Sequence, residues 1–326
     1  MKKTLLSLVI ASVFPFTATA EVIVYGKANV SVQHADEADD STIELVSNAS
    51  RIGLKGGEEI NSGLKAIYQF EYQTEVDDGA GGTSNQTFTQ RNIFVGLQGS
   101  GGTVIGGKFD TPVKVIQEKV DLFNDLEGDI NFLVDGDTRS NNIVQYTTPL
   151  LLDKKLAINI AHVSAEDAAL DDGMSVSVTY TGSNFYAALA TEQDVTAQGL
   201  DITRAVGRYI LNRWQFGLLL EQSSGLNDYD GDAALASVKY NISDKLALKA
   251  QYGDASDDGI TATTSLDGND KQFSIGADYL LSKNTTIFAY YSQEKTDDSS
   301  RVILTDVVTA TDADNKWLGI GIDLKF

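Results

Sequence analysis

From Val22 onward the chain is built of short segments in which apolar and polar residues alternate one by one. The first puts Val22, Val24, Gly26, Ala28, Val30 and Val32 on one side and Tyr25, Lys27, Asn29, Ser31 and Gln33 on the other. A period of two sends successive side chains to opposite faces of an extended strand, so each segment reads as a strand with one greasy and one polar face. Five such strands precede a long interruption. Eleven follow it, near residues 139–148, 154–163, 174–182, 184–192, 200–211, 213–222, 232–241, 245–253, 271–280, 285–294 and 315–326.

Sixteen strands decide which face is outside. A closed sheet of that size encloses a lumen far too wide for side chains to fill, so the apolar face meets lipid and the polar face lines water. Trp214, Phe216, Leu218 and Leu220 therefore point outward, as do Leu248 and Tyr252, and Phe273, Ile275 and Tyr279. The connections alternate in kind. TGSN, LNR, NISDK and LLSKN are tight, whereas the others are longer and rich in Asp, which is the asymmetry of an outer-membrane barrel. Aromatics gather beside the tight turns (Tyr180 and Phe185, Tyr209 and Trp214), where rings suit the membrane boundary. The last strand carries Leu318, Ile320, Ile322, Leu324 and Phe326 on one face; closure against the first strand removes what would otherwise be an apolar edge. The fold class is all-β, a sixteen-stranded antiparallel transmembrane barrel.

The interruption runs from Gly106 to Arg139 and fails the alternation, and a connection this long is rarely idle. Residues of about 110–138 are read as a third loop folded into the lumen, where Asp121, Asp125, Glu127 and Asp129 narrow a pore, with a short helix expected within Lys114 to Asp121.

Residues 1–20 have the form of a signal peptide: Lys2 and Lys3, an apolar run from Leu5 to Phe16, then Ala18-Thr19-Ala20, with cleavage expected before Glu21. Residues 21–326 then form one barrel domain. No later segment holds enough consecutive apolar residues for a membrane helix. Cysteine is absent, which removes disulfide and thiolate chemistry. The formal charge of −21 becomes −23 without the two lysines, a sign that argues against nucleic acid as a partner.

Several blocks in order resemble the Gram-negative general diffusion porins: VYGKANVSVQ (24–33), SRIGLKGGEEINSGLKAIYQFE (50–71), RNIFVGLQGSGGTVIGGKFDTP (91–112), TRSNNIVQYTTP (138–149) and the terminal Phe326. The resemblance implies an outer-membrane homotrimer of channels for small hydrophilic solutes and ions, with no cofactor. It also implies contact with lipid and lipopolysaccharide, and delivery by periplasmic chaperones to an insertion machinery that reads Phe326. The basic row that such porins set opposite the loop falls on Lys27, Arg51, Arg91 and Arg139, of which Lys27 and Arg51 also lie on polar faces by alternation. Arg91 conflicts with the alternation, because it turns Asn92 outward beside Phe94. Arg204, Arg208, Lys249 and Asp278 read as charges on a wetted wall.

Other chemistries are poorly supported. GSGGTVIGG lacks the Lys-Ser/Thr of a phosphate loop, DYDGD has its Gly at the wrong place for a calcium loop, and His34 and His162 stand alone. No Ser sits in a GxSxG elbow, so an enzyme is not expected. The Asp-rich loops read as an acidic rim that Mg²⁺ or Ca²⁺ can bridge to lipopolysaccharide phosphates. The alternatives are a substrate-selective channel, for which Tyr25 and Tyr186 are the candidate lumen aromatics, and an adhesin or structural barrel. A negative rim and a basic row leave the sign of ion selectivity open.

Overall fold

The computed structural model describes residues 21–326 apart from 38–39, 78–87, 168, 227, 261–263 and 303–306. The expected signal peptide lies outside the described residues, as does most of the loop DDGAGGTSNQ. Before the long connection come β1 (Glu21–Glu37), β2 (Asp40–Ser47), β3 (Arg51–Asn61), β4 (Leu64–Gln73), β5 (Thr89–Gly99) and β6 (Gly102–Asp110). After it come β7 (Arg139–Thr147), β8 (Leu156–Val163), β9 (Gly173–Thr181), β10 (Phe185–Gln193), β11 (Asp201–Leu211) and β12 (Trp214–Gly225). The chain ends with β13 (Tyr229–Asn241), β14 (Leu246–Ile260), β15 (Thr264–Ser282), β16 (Thr285–Val302) and β17 (Val307–Lys325).

Seventeen strands make sixteen wall positions, because β2 and β3 are one strand broken at a kink. β2 pairs with Val30 to Glu37 of β1 and β3 with Glu21 to Lys27. Between them Ala49 takes a φ of 48°, and the break is closed by side chains: Asn48 donates to Ser31 Oγ at 3.0 Å, and Ser50 exchanges bonds with the backbone of Asn29. Every neighbouring pair is antiparallel, and β1 meets β17 from Lys27↔Lys325 to Asp36↔Lys316. Gly26 and Phe326 complete the seam with reciprocal backbone bonds of 2.9 and 3.1 Å. A Cβ on Gly26 would come within 2.3 Å of the Phe326 ring, so the terminal aromatic requires glycine opposite it.

The faces follow the alternation. Trp214, Phe216, Leu218 and Leu220 are exposed on the outside of β12, and the apolar row from Leu318 to Leu324 is exposed on β17. Asn29, Ser31 and Gln33 are buried inward on β1, as are Gln251, Gln272, Ser274 and Ser292 on β14 to β16. The tight connections at 182–184, 212–213, 242–245 and 283–284 are present, together with turns at 62–63 and 100–101. Gly63 at φ 107° and Asn212 at φ 54° supply the left-handed residues these turns need. The GSGG segment accordingly turns β5 into β6.

The late strands are longer than expected. β15, β16 and β17 begin or end at Thr264, Val302 and Val307, so much of the Asp-rich sequence assigned to loops continues the hairpins. Asp and Asn interrupt the sequence of those extensions (DGND, TDDSS, TDADN), so no sustained apolar alternation marks them.

Candidate functional site

The connection from Thr111 to Thr138 lies against the inner faces of β10 to β16. It opens with a helical turn at Pro112–Val115, capped by Thr111 Oγ1 accepting from Lys114 N at 3.2 Å, and passes into a 3-10 turn at Ile116–Lys119. The expected helix therefore begins two residues early. Proline suits its first position, where no intrahelical donor is needed. A second 3-10 turn, Ile130–Phe132, is capped by Asp129, whose carboxylate accepts from Asn131 N.

Two kinds of contact hold the loop. Val113, Ile116, Val120, Ile130 and Leu133 pack on inward-facing Ala188, Ile202, Val206, Leu219 and Leu235. Each fully buried aliphatic side chain contributes on the order of 1.5–3 kcal/mol, which makes this patch the main holding force. The irregular backbone is satisfied by wall side chains. Ser237 donates to Val120 O at 2.6 Å, Lys249 to Leu122 O at 2.9 Å, Gln272 to Asp129 O at 2.8 Å, and Gln251 Oε1 accepts from Leu122 N at 2.8 Å. Gly128 passes so close to Ser274 and Ser292 that a Cβ would meet Ser274 Oγ at 2.2 Å.

Arg204 and Lys249 are thus not wetted wall charges. Arg204 is fully buried beneath the loop; its Nε donates to Glu221 Oε2 at 2.6 Å and its Nη1 to Val113 O at 3.1 Å and to Gln117 Oε1. Glu221 in turn accepts from Asp135 N at 2.7 Å. Lys249, also buried, pairs with Asp278 at 3.1 Å. A charge this far from water persists only when paired and hydrogen-bonded, so both residues are anchors for the loop.

On the opposite side, between the loop and the wall of β2 to β7, a cavity of about 730 Å³ remains open. Arg51, Arg91, Arg139 and Lys114 line it, facing Asp125, Glu127, Asp129 and Asp137 of the loop. Lys27 Nζ and Arg51 Nη2 converge on Asp125 Oδ2, at 2.6 and 3.0 Å. Arg91 and Arg139 instead pair with wall carboxylates, Glu71 at 3.1 Å and Asp110 at 2.9 Å. Glu127 accepts from Gln33 Nε2 at 2.8 Å, and Asp129 accepts from Asp125 N at 2.7 Å.

Asp121 departs from expectation. It is buried and turned away from the cavity, accepting from Phe123 N at 3.1 Å and from Gln251 Nε2 at 3.3 Å. Its place in the loop favours a backbone cap over a solvent-facing charge. The conflict at Arg91 resolves through a bulge. β4 and β5 slip register between Phe70↔Ile93 and Tyr72↔Gln90, so Arg91 and Asn92 both reach the inner face. Asn92 then donates to Asp110 at 2.8 Å and accepts from Arg139 Nε at 3.3 Å.

The loop carboxyls differ in ease of ionisation. Burial pushes those of Asp121, Glu127 and Asp129 above the ordinary carboxylate range. Burial also opposes ionisation of Asp125, but Lys27 and Arg51 outweigh it and hold this carboxyl below its usual value.

Glu71, Asp110, Lys114, Asp137, Glu118 and Glu294 also line the cavity and were not singled out from sequence. Glu71 lies on the polar face of β4 and Glu294 on β16, but strand alternation alone does not say which inward carboxylates border the loop. Tyr25 donates to Glu71 at 3.0 Å and Tyr186 to Ile116 O at 3.2 Å, so neither ring forms an aromatic track along the cavity. Among the described residues no group of His, Asp and Glu is arranged to hold a metal ion.

The chain is similar to the major outer membrane protein P.IB of Neisseria gonorrhoeae, 38% identical over 123 residues; the match spans 35% of this chain and about a third (34%) of that relative. The outer membrane porin protein 32 of Delftia acidovorans is 26% identical over 329 residues, 92% of this chain and 91% of the relative. Among solved structures, an anion-selective porin from Comamonas acidovorans superposes with a TM-score of 0.73 at 18% identity, over 94% of this chain and 100% of that one. A family model described as Gram-negative porin matches residues 6–299. With a closed barrel, a lipid-facing apolar belt and that match, the chain belongs to the Gram-negative porin family of the outer membrane.

Proposed function

We propose that the protein is a passive channel through which small hydrophilic solutes and ions cross the outer membrane, with its narrow section beside the basic row. The observation that carries this reading is the pairing of Lys27 and Arg51 with Asp125 at the edge of an open, charged cavity. Fixed charges of opposite sign facing each other set a field across the passage. A polar solute aligns its dipole in that field, while an apolar one must displace ordered water and gains nothing in return. In this reading Lys27, Arg51, Arg91 and Arg139 form the wall side of the constriction, and Asp125, Glu127 and Asp129 the loop side.

The same reading includes export by residues 1–20, insertion signalled by Phe326, and a homotrimer in contact with lipid and lipopolysaccharide, as the porin resemblance implies. The test is single-channel conductance in a planar bilayer for the wild type and an Arg51→Ala/Arg139→Ala variant. Large open steps in triplets are expected, larger still in the variant, with its reversal potential moved toward cations. Insertion without current would defeat the channel reading and favour a structural barrel.

A further inference from the structure

Selectivity turns on which charges at the narrow section remain uncompensated. The cavity is lined by four cationic side chains and eight carboxylates. Each cation already has a carboxylate partner: Arg51 holds Asp125, Arg91 holds Glu71, Arg139 holds Asp110 and Lys114 holds Asp137 at 2.9 Å. Lys27, behind the lining, shares Asp125 with Arg51. That leaves Glu118, Glu127, Asp129 and Glu294 with no cationic partner among the described residues.

Neutral groups steady three of these four. Glu127 accepts from Gln33, Asp129 from the backbone N of Asp125 and Asn131, and Glu294 from Gln272 Nε2 at 3.0 Å. Such donors orient a carboxylate without cancelling its charge. We infer, resting on the channel reading above, that the pore is cation-selective: the five basic side chains are matched by four carboxylates, and Glu118, Glu127, Asp129 and Glu294 outweigh the one cation left over and set the sign. The solutes favoured are small inorganic cations and organic ammonium ions.

These carboxylates border the narrow cavity itself, apart from the acidic outer rim. There a fixed charge acts across a short, poorly screened gap, whereas rim charges more than a Debye length from the axis are largely screened in physiological salt.

The experiment is reversal potential in a KCl gradient for the wild type and for Glu118→Gln/Glu127→Gln/Glu294→Gln. These changes keep side-chain shape, and the variant spares Asp129, which caps the loop. The wild type is expected to prefer potassium, and the variant to lose that preference severalfold. Chloride preference in the wild type, or an unchanged ratio in a conducting variant, overturns the inference while leaving the channel reading intact. Absence of wild-type current overturns the channel reading, and the inference falls with it. Should the triple variant fail to insert, Glu127→Gln alone is expected to shift the ratio in the same direction, and no shift counts against the inference.

Discussion

The two halves of the barrel interior use the same residue types for opposite ends. Arg204 and Arg51 are both inward-facing arginines on strands, each paired with a carboxylate. Arg204 sits fully buried under the loop, in a pair whose removal from water is offset by close packing, by its contact with Glu221 and by hydrogen bonds to Val113 O and Gln117. Arg51 borders an open cavity, where water shares in its solvation. One arginine fastens the loop, and the other, in the proposed channel, sets a field. What separates them is the apolar patch of the loop, which closes off the inner face of β10 to β13 and leaves the face of β2 to β7 wet.

Removing Arg204 is the severest way to break the contrast. Arg204→Ala strands Glu221 in a dry site, and a buried charge left without its partner costs roughly 3–5 kcal/mol. Chemical unfolding of the inserted barrel should show that loss, together with noisy, unstable conductance as the loop leaves the wall. An Arg204→Met/Glu221→Leu double variant, which removes both charges, should recover most of the stability. A double variant as unstable as the single one would mean that the pair does more than fasten.

On the wet side a charge change should alter current more than stability. Asp125→Asn releases Lys27 and Arg51 together, so the reversal potential is expected to move toward anions by more than for any single neutralisation among Glu118, Glu127 and Glu294. An equal or smaller shift would show that the two cations do not act on the passage.

The smallest effect is the response to pH. Glu127 and Asp129 titrate above the ordinary carboxylate range in the folded loop, so the stability they contribute is fully present below the unfolded pKa and is lost as pH rises through the folded one. Asp125 behaves oppositely: its contribution is present above the unfolded value and is lost only as pH falls through its depressed folded pKa. Acidification from about pH 8 to about pH 5 should therefore weaken cation preference by protonating Asp129, whose carboxyl burial pushes up to about 6, while the Asp125 pairs and the seat of the loop persist. Selectivity that stays flat over this interval would argue against ionised carboxylates acting at the narrow section.

The wall of the barrel was legible in the sequence because every spanning strand separates lipid from lumen, and the period-two pattern records that separation residue by residue. Features that break the period by one residue were not. The kink at Asn48–Ser50 divides one strand into two, and the bulge at Arg91 and Asn92 turns two neighbours to the same face. The anchored half was also hidden, although a trace of it stands in Leu218-Leu219-Leu220, where both faces of β12 are apolar. Leu218 and Leu220 meet lipid, and Leu219 meets the loop. The buried role of Arg204 could not be seen, because a charge on an inward face is expected to be wet until something covers it.

The most direct test is accessibility to a thiol reagent from water, made clean by the absence of native cysteine. Single cysteines would be placed at Glu118, exposed on the cavity side of the loop, and at Ala188, buried beneath it, and channel current followed while a bulky methanethiosulfonate is added. A fall in current for Glu118→Cys and none for Ala188→Cys would show that solutes pass only beside the basic row. Block at Ala188→Cys, or no block at Glu118→Cys despite labelling, would contradict a single passage on the wet side of the loop.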